Sequence, residues 1–253
     1  MRAPQSDLPD IAADVLEHLR ARRPRVHCVT NAVAQNITAN VLLAAGALPS
    51  MTISPDEIAQ FAARADALLV NLGTFDAERR AAADTAIAHA NKAKIARVLD
   101  PVLIDRSPPR ADYARRLIGL TPAAIRLNAA EFETLAGGSS PEAYAAQNRV
   151  IVALTGEIDT VTDGARFFKI ANGHPLMASV TAMGCAESAL VAAALAVEPD
   201  RLKAVVAALL IFGIAGDIAG EKAHGPGTFA VHILDALFSL DRAKIRARAK
   251  VMS

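Results

Sequence analysis

The sequence lacks several residues and motifs that mark common protein classes. It has no Trp, two Tyr and two Cys in 253 residues. Two distant cysteines, Cys28 and Cys185, exclude a disulfide framework and are typical of a reducing compartment. The 27 Lys and Arg nearly balance the 26 Asp and Glu. Because no basic block is present, we expect no nucleic-acid partner.

Familiar cofactor and nucleophile motifs are also missing. The absence of G-x-x-x-x-G-K-[ST] excludes a P-loop, and the absence of G-x-G-x-x-G after the first predicted strand argues against a dinucleotide oxidoreductase. There is no G-x-S-x-G nucleophile elbow. The six His show no metal-ligand spacing. Any catalytic site must therefore be sought elsewhere in the pattern.

Membrane and export signals are weak. The first ten residues lack the apolar core of a signal peptide. The longest apolar run, Ala204–Gly216, has about 13 residues, whereas a bilayer needs roughly 20. We predict that this run is a buried helix, and we expect a cytoplasmic protein without membrane contact.

Apolar strands alternate with helices along the chain. The predicted strands are Arg25–Val29, Leu48–Ile53, Ala67–Asn71, Ala96–Leu99, Ala124–Leu127 and Val150–Leu154. The predicted helices are Asp10–Arg22, Val33–Ala45, a capping box from Ser54 leading to Arg64, Asp76–Ala93 and Ala111–Ile118. A hairpin turning at Asp163-Gly164 follows, and the chain after Gly184 is nearly all helical. This alternation predicts an α/β fold with a mainly parallel sheet and a small antiparallel appendage, in one domain over residues 1–253.

Polar steps follow the predicted strands, where open α/β sheets bind ligands. These steps are Thr30-Asn31, Asn71–Thr74, Asp100-Pro101, Asn128 and Thr155-Gly156. Several of them have two interpretations. Asp100 is either a water-mediated Mg²⁺ ligand or a turn former before Pro. Glu131 stands at the start of a predicted helix, where a first-turn carboxylate interacts favourably with the helix dipole. Thr155-Gly156 is also a common strand-to-turn step.

A run of small residues leads into a long helix that begins near Gly184. A helix N-terminus offers free N–H groups to an anion, and Gly184 would let the anion approach. Cys185 falls in the first turn, where we expect a lowered thiol pKa. The alternative is a tightly packed helix with Cys185 as a buried apolar group.

Elements in a fixed order carry a resemblance over most of the chain. They are Val26–Asn31, Asn36–Asn40, Gly46–Met51, Asn71–Thr74, Asp100–Val102, Ile125–Glu131, Thr155–Glu157, Val180–Cys185 and Gly225–Phe229. Each is weak alone, but together they are specific. In this order and spacing they resemble the hydroxyethylthiazole kinase family of the ribokinase-like superfamily. The resemblance implies a three-layer α/β/α fold and phosphoryl transfer from ATP to 4-methyl-5-(2-hydroxyethyl)thiazole, a step of thiamine biosynthesis or salvage.

The resemblance also implies a role for each matched position. It places Asn31, Met51 and Ala182 at the thiazole alcohol, and Gly184 and Cys185 at the reacting hydroxyl. ATP would bind Arg126, Asn128 and Thr155. Mg²⁺ would be organised by Asp100 and Glu131 through water. Family members resemble one another in forming homotrimers with interfacial active sites.

The sequence departs from the family at Leu103, Leu127 and Ala182, where the family usually has Gly. Such a change matters where φ is positive or where phosphate touches the Cα. Two alternatives stay open, and the missing glycines motivate the second of them. One is a ribokinase-like kinase for another small alcohol, such as a hydroxymethylpyrimidine. The other is a catalytically weakened, thiazole-binding paralogue.

Overall fold

A computed structural model describes residues 7–252, and the first six residues of the segment judged for export lie outside them. Nine strands are described: β1 (Arg25–Val29), β2 (Leu48–Ser50), β3 (Ala67–Asn71), β4 (Ala96–Asp100), β5 (Ala124–Asn128), β6 (Ile151–Thr155), β7 (Asp159–Thr162), β8 (Phe167–Ile170) and β9 (Val251–Met252). Eleven α-helices are described: α1 (Leu8–Arg22), α2 (Gln35–Ala45), α3 (Ile58–Arg64), α4 (Ala77–Ala93), α5 (Pro108–Ile118), α6 (Ala129–Ala136), α7 (Pro141–Asn148), α8 (Met183–Leu195), α9 (Arg201–Lys222), α10 (Pro226–Ser239) and α11 (Arg242–Arg248).

The strands form one sheet in the order β2-β1-β3-β4-β5-β6-β7-β8-β9. The strands from β2 to β6 pair in parallel, and β7, β8 and β9 are antiparallel additions. The predicted parallel sheet with an antiparallel appendage is therefore confirmed. The two-residue strand β9 was not predicted, because it exists only through its pairing with β8, Ile170 opposite Val251.

Along a strand, successive apolar side chains point alternately to the two faces of the sheet. In β3, Ala67 and Leu69 join the core beneath α1, α2, α8, α9 and α10, whereas Leu68 and Val70 join the core beneath α3 to α7. Strands that are buried on both faces read as continuous apolar runs. This is why their positions could be predicted from sequence so closely.

Helix α9 contains the apolar run predicted to be buried. By length and composition alone it could cross a membrane, but 83% of its apolar window is buried inside the protein. It packs against α1, α8 and α10. The predicted buried helix is confirmed, because a helix that is apolar on every side must be covered on every side.

The predicted capping box at Ser54 is wrong. Helix α3 begins at Ile58, after a turn. The Glu57 carboxylate accepts the hydroxyl of Thr52, and the Ser54 backbone N–H donates to the same hydroxyl at 3.2 Å. Thr52 therefore binds the Glu57 carboxylate and the Ser54 backbone N–H, the two groups that a capping box would have paired with each other.

Candidate active site

The polar strand ends meet at one edge of the sheet. Asn71 lies opposite Asp100 in register, and Asn128 lies opposite Thr155. Since neighbouring strands are about 4.8 Å apart, the ends of β1 and β5 are separated by about 14 Å. Asn31 follows β1 at one side of this edge, and Asn128 and Thr155 lie at the other.

A chain of hydrogen bonds crosses the middle of the edge. The amide nitrogen of Asn31 donates to Cys185 Sγ at 3.3 Å and to Asn71 Oδ1 at 3.0 Å. The amide nitrogen of Asn71 donates to Asp100 Oδ2 at 2.8 Å, and the Ser188 hydroxyl lies 2.9 Å from the same oxygen. Sequence reasoning included Asn71 among the polar strand ends without a specific role, and it gave Ser188 none. Their signals were a polar residue ending a buried strand and a Ser one turn after Gly184.

Asp100 is the buried carboxylate at the centre of this chain. It is 1% exposed, and its Oδ1 has no hydrogen-bond partner among the described residues. Burial raises the pKa of Asp100 to about 6, Arg126 opposes this shift, and the Glu131 carboxylate adds to it. A buried, unpaired carboxylate oxygen is costly unless a cation or ligand group meets it.

Glu131 has a structural role in this conformation. It forms a capping box with Asn128 at the start of α6, accepting the Asn128 backbone N–H at 2.9 Å. Its other oxygen accepts the backbone N–H of Leu103 at 2.8 Å. Both carboxylate oxygens are therefore engaged. Among residues 7–252, no group of three or more His, Cys, Asp or Glu could hold a metal ion by itself.

The expected lowering of the Cys185 pKa is wrong. Burial, with the nearby Asp100 charge, raises the pKa of the thiol to about 11. The helix N-terminus does not compensate, because Cys185 is only 8% exposed and the Asp100 charge acts on the thiol more strongly than the opposing Arg126 charge. The thiol is therefore protonated at neutral pH.

A cavity of about 670 Å³ opens at the β5 and β6 side of the edge. Arg126, Asn128, Thr155 and Gly184 line it. The predicted ATP-binding residues are thus brought together around one space. Met51 does not line this cavity. It directly follows β2, the edge strand on the far side of β1 from β5 and β6, where it is half-buried and packs against the core.

Arg126 explains the glycine at position 184. A Cβ added at Gly184 would lie 2.3 Å from Arg126 Nη1, so the guanidinium crosses the bare first turn of α8. Arg126 Nε donates to Glu187 Oε2 at 3.0 Å, one turn further along. Sequence reasoning missed Glu187. The glycine admits an arginine side chain here, which is a different reason from the predicted approach of an anion to the backbone.

These positions can be compared with known proteins. A family model described as the hydroxyethylthiazole kinase family matches residues 16–243. The chain belongs to the hydroxyethylthiazole kinase family. It is 46% identical to the hydroxyethylthiazole kinase of Klebsiella pneumoniae (strain 342) over 247 residues, covering 91% of this chain and 96% of the relative.

Solved structures agree with this family membership. The hydroxyethylthiazole kinase from Pyrococcus horikoshii OT3 superposes with a TM-score of 0.93 at 36% identity, covering 96% of this chain and 98% of that one. A ribokinase-like superfamily protein from Enterococcus faecalis V583 has a TM-score of 0.69 at 14% identity, covering 92% and 95%. The second likeness shows the fold alone, and it confirms the ribokinase-like architecture.

Three positions of this hydroxyethylthiazole kinase family member carry side chains where the resemblance led us to expect glycine: Leu103, Leu127 and Ala182. Ala182 has φ 64° at the start of α8, and Leu103 has φ 58° in the loop after β4. Both lie in the left-handed region, which costs about 1–2 kcal/mol for a residue with a Cβ. Leu127, in contrast, is an ordinary buried residue of β5.

Proposed function

We propose that this protein transfers the γ-phosphoryl group of ATP to the hydroxyl of 4-methyl-5-(2-hydroxyethyl)thiazole. One observation carries the proposal beyond family membership: the unpaired Oδ1 of buried Asp100 lies between the Arg126 cavity and Asn31. Phosphoryl transfer depends mainly on positioning and charge neutralisation. A cation-binding oxygen between a nucleotide side and an alcohol side meets that need.

The cavity would hold the nucleotide. Arg126 would pair with phosphate oxygens, and Asn128 and Thr155, at the ends of neighbouring strands, would donate hydrogen bonds to the chain. Gly184 lies in the first turn of α8, where free backbone N–H groups and the helix dipole favour negative charge. A volume of about 670 Å³ is within the ordinary range for small-molecule sites.

The residues at Asp100 fit a magnesium ion. Mg²⁺ is usually held by one or two carboxylates together with substrate phosphates and water, and Asp100 Oδ1 is available for such a role. Bound Mg²⁺ would neutralise charge on the phosphates. Asn71 and Ser188 fix the Asp100 carboxylate through Oδ2. Glu131, with both oxygens engaged, would reach the ion through water.

The alcohol would lie on the β1 side. Asn31 and Met51 would contact the thiazole, and Ala182 would border its hydroxyl. Cys185, protonated and hydrogen-bonded by Asn31, would orient that hydroxyl instead of removing its proton. A base is not essential to a loose transition state, because the bond to the attacking oxygen has formed only slightly and the hydroxyl proton need not leave before it.

A homotrimer and a cytoplasmic location belong to the same proposal. Exposed apolar residues lie close to the Asn31 loop and on α10, with Val33 68% and Phe238 75% exposed. Helices α2 and α10 pack together, so a partner could cover both and complete the alcohol side near Met51. Light scattering after size-exclusion chromatography measures the mass and so tests the homotrimer; a monomeric mass would contradict the homotrimer.

A coupled ADP-release assay with the thiazole alcohol, ATP and Mg²⁺ tests the proposed reaction. Hydroxymethylpyrimidine is the matched alternative acceptor. ADP release with the thiazole alcohol but not with the pyrimidine supports the proposal. Turnover only with the pyrimidine would refute the choice of acceptor.

A weakened, thiazole-binding protein is the second candidate, and the positive φ of Ala182 and Leu103 favours it. A Cβ at either position narrows the backbone route along which phosphate would pass. Calorimetric binding of the thiazole alcohol without ADP release, even in excess Mg²⁺, would support this second candidate.

A further inference from the structure

The cavity proposed to hold the phosphates is lined by more acid than base. Its lining contains one arginine, Arg126, together with Glu187, Asp159 and Glu157. Glu187 and Asp159 are buried, at 5% and 8% exposure, whereas Glu157 is exposed. An anionic phosphate chain would therefore enter a space in which two buried carboxylates outnumber the single guanidinium.

Glu187 holds Arg126 in place. Arg126 Nε and Nη2 both lie 3.0 Å from Glu187 Oε2, and the two side chains are 17% and 7% exposed. Gly184 allows the guanidinium to cross the helix to reach this partner. Asp159 is held separately, with Oδ1 accepting the Gly156 backbone N–H at 2.9 Å. The ion pair thus comes from α8 and β5, and the second carboxylate comes from β7.

Burial favours protonation of the two carboxylates of this cluster, Glu187 and Asp159. Burial raises the pKa of Asp159 to about 7, and the Glu187 carboxylate adds to the shift. Burial also raises the pKa of Glu187, although Arg126 opposes this. Burial lowers the pKa of Arg126, but Glu187, Asp100, Glu131 and Asp159 raise it by more, so the guanidinium stays charged.

We propose that Glu187 is a positioning residue for Arg126, and that Glu187 and Asp159 couple nucleotide binding to the uptake of one proton. The inference rests on the proposed nucleotide site. When phosphate oxygens approach Arg126, one carboxylate takes a proton from solvent and becomes a neutral carboxyl group. The mutual repulsion of carboxylate and phosphate is thereby removed. His174 and the exposed Glu157 are the other titratable side chains in the described lining of the cavity.

The sign of the pH dependence follows from linkage. A complex that holds more protons than its free components binds more weakly as the pH rises. Above about pH 7 the Asp159 carboxylate of the free protein is ionised, so nucleotide affinity falls by up to about tenfold per pH unit for one proton. Below that pH the carboxyl group is already neutral, and affinity levels off.

Calorimetry of MgADP binding at pH 7.5, in buffers of different ionisation enthalpy, counts the protons taken up. Wild type should take up a sizeable fraction of a proton. Glu187→Gln and Asp159→Asn should each reduce that fraction and flatten the fall in affinity between pH 7 and 8.5. Glu133→Gln, an exposed carboxylate on α6 outside the cavity, is the control and should match wild type. The nucleotide's own ionisation contributes equally to all four proteins.

The outcomes separate this inference from the proposed function. If MgADP binds and proton uptake is the same in wild type and both variants, the coupling is refuted and the nucleotide site stands. If Glu187→Gln weakens binding equally at every pH, Glu187 only supports Arg126 and the proton coupling is wrong. If MgADP does not bind wild type, the proposed function fails and this inference fails with it.

Discussion

Replacing Gly184 by Ala tests whether the bare first turn of α8 exists to seat Arg126. The added Cβ would lie 2.3 Å from Nη1, 2.7 Å from Cζ and 2.8 Å from Nη2 of Arg126. Ordinary contacts are about 3.5–4.0 Å, so the guanidinium must move by more than about 1 Å. Its bonds to Glu187 Oε2, at 3.0 Å, would not survive that movement.

The magnitude can be worked from these contacts. Breaking a buried ion pair costs about 3–5 kcal/mol, and we take the lower value because the cavity admits water to the displaced guanidinium. Ala gains about 1 kcal/mol over Gly within a helix. The expected net loss in the free energy of unfolding is about 2 kcal/mol, or about 4–8 °C in Tm for a chain of this length. Loss of a charge-assisted phosphate contact should also raise the KM for ATP about 10- to 100-fold.

Thermal denaturation and steady-state kinetics measure both effects. Gly156→Ala is the matched control for stability, since a Cβ at Gly156 in the same cavity meets nothing within 4 Å. In an Arg126→Ala background, Gly184→Ala should become neutral or stabilising, because the clash is gone. An equal loss of Tm with and without the Arg126 guanidinium would refute the reasoning.

Other substitutions make further predictions. Ala182→Gly should raise the free energy of unfolding, measured by urea denaturation, by up to about 1 kcal/mol, because it relieves a residue held in the left-handed region. Ala81→Gly, on the exposed face of α4, is the control and should lower that free energy by about 1 kcal/mol. Equal losses in the two variants would contradict the positive φ of Ala182. Cys185→Ala should lower kcat/KM by no more than about tenfold, the value of one hydrogen bond; a loss of about 10²–10⁴-fold, typical of a general base, would contradict a protonated thiol. Asp100→Asn should raise the Tm at pH 8 without metal, because it removes a buried carboxylate, and should abolish stabilisation by Mg²⁺ in scanning fluorimetry. A Tm gain with Mg²⁺ in that variant would place the ion elsewhere.

Much of the architecture could be predicted from local patterns. The predicted bounds of β1 and β3 match the structure to the residue. Strand β3 is buried on both faces and is apolar up to Asn71, as such a strand requires. Gly164 was expected at a hairpin turn, and it has a positive φ. Parallel pairing then brings Asn71 beside Asp100 and Asn128 beside Thr155, so the members of the candidate site could be predicted as well.

What only the tertiary structure decided is how those residues affect one another. The sequence by itself determined the order of strands and helices and the polar residues at their ends, because these depend on neighbours along the chain. The protonation of Cys185, the unpaired Oδ1 of Asp100 and the seating of Arg126 against Glu187 depend on groups far apart in sequence. Burial removes water from all of them, and the strength and direction of their interactions follow from which charges then remain within reach.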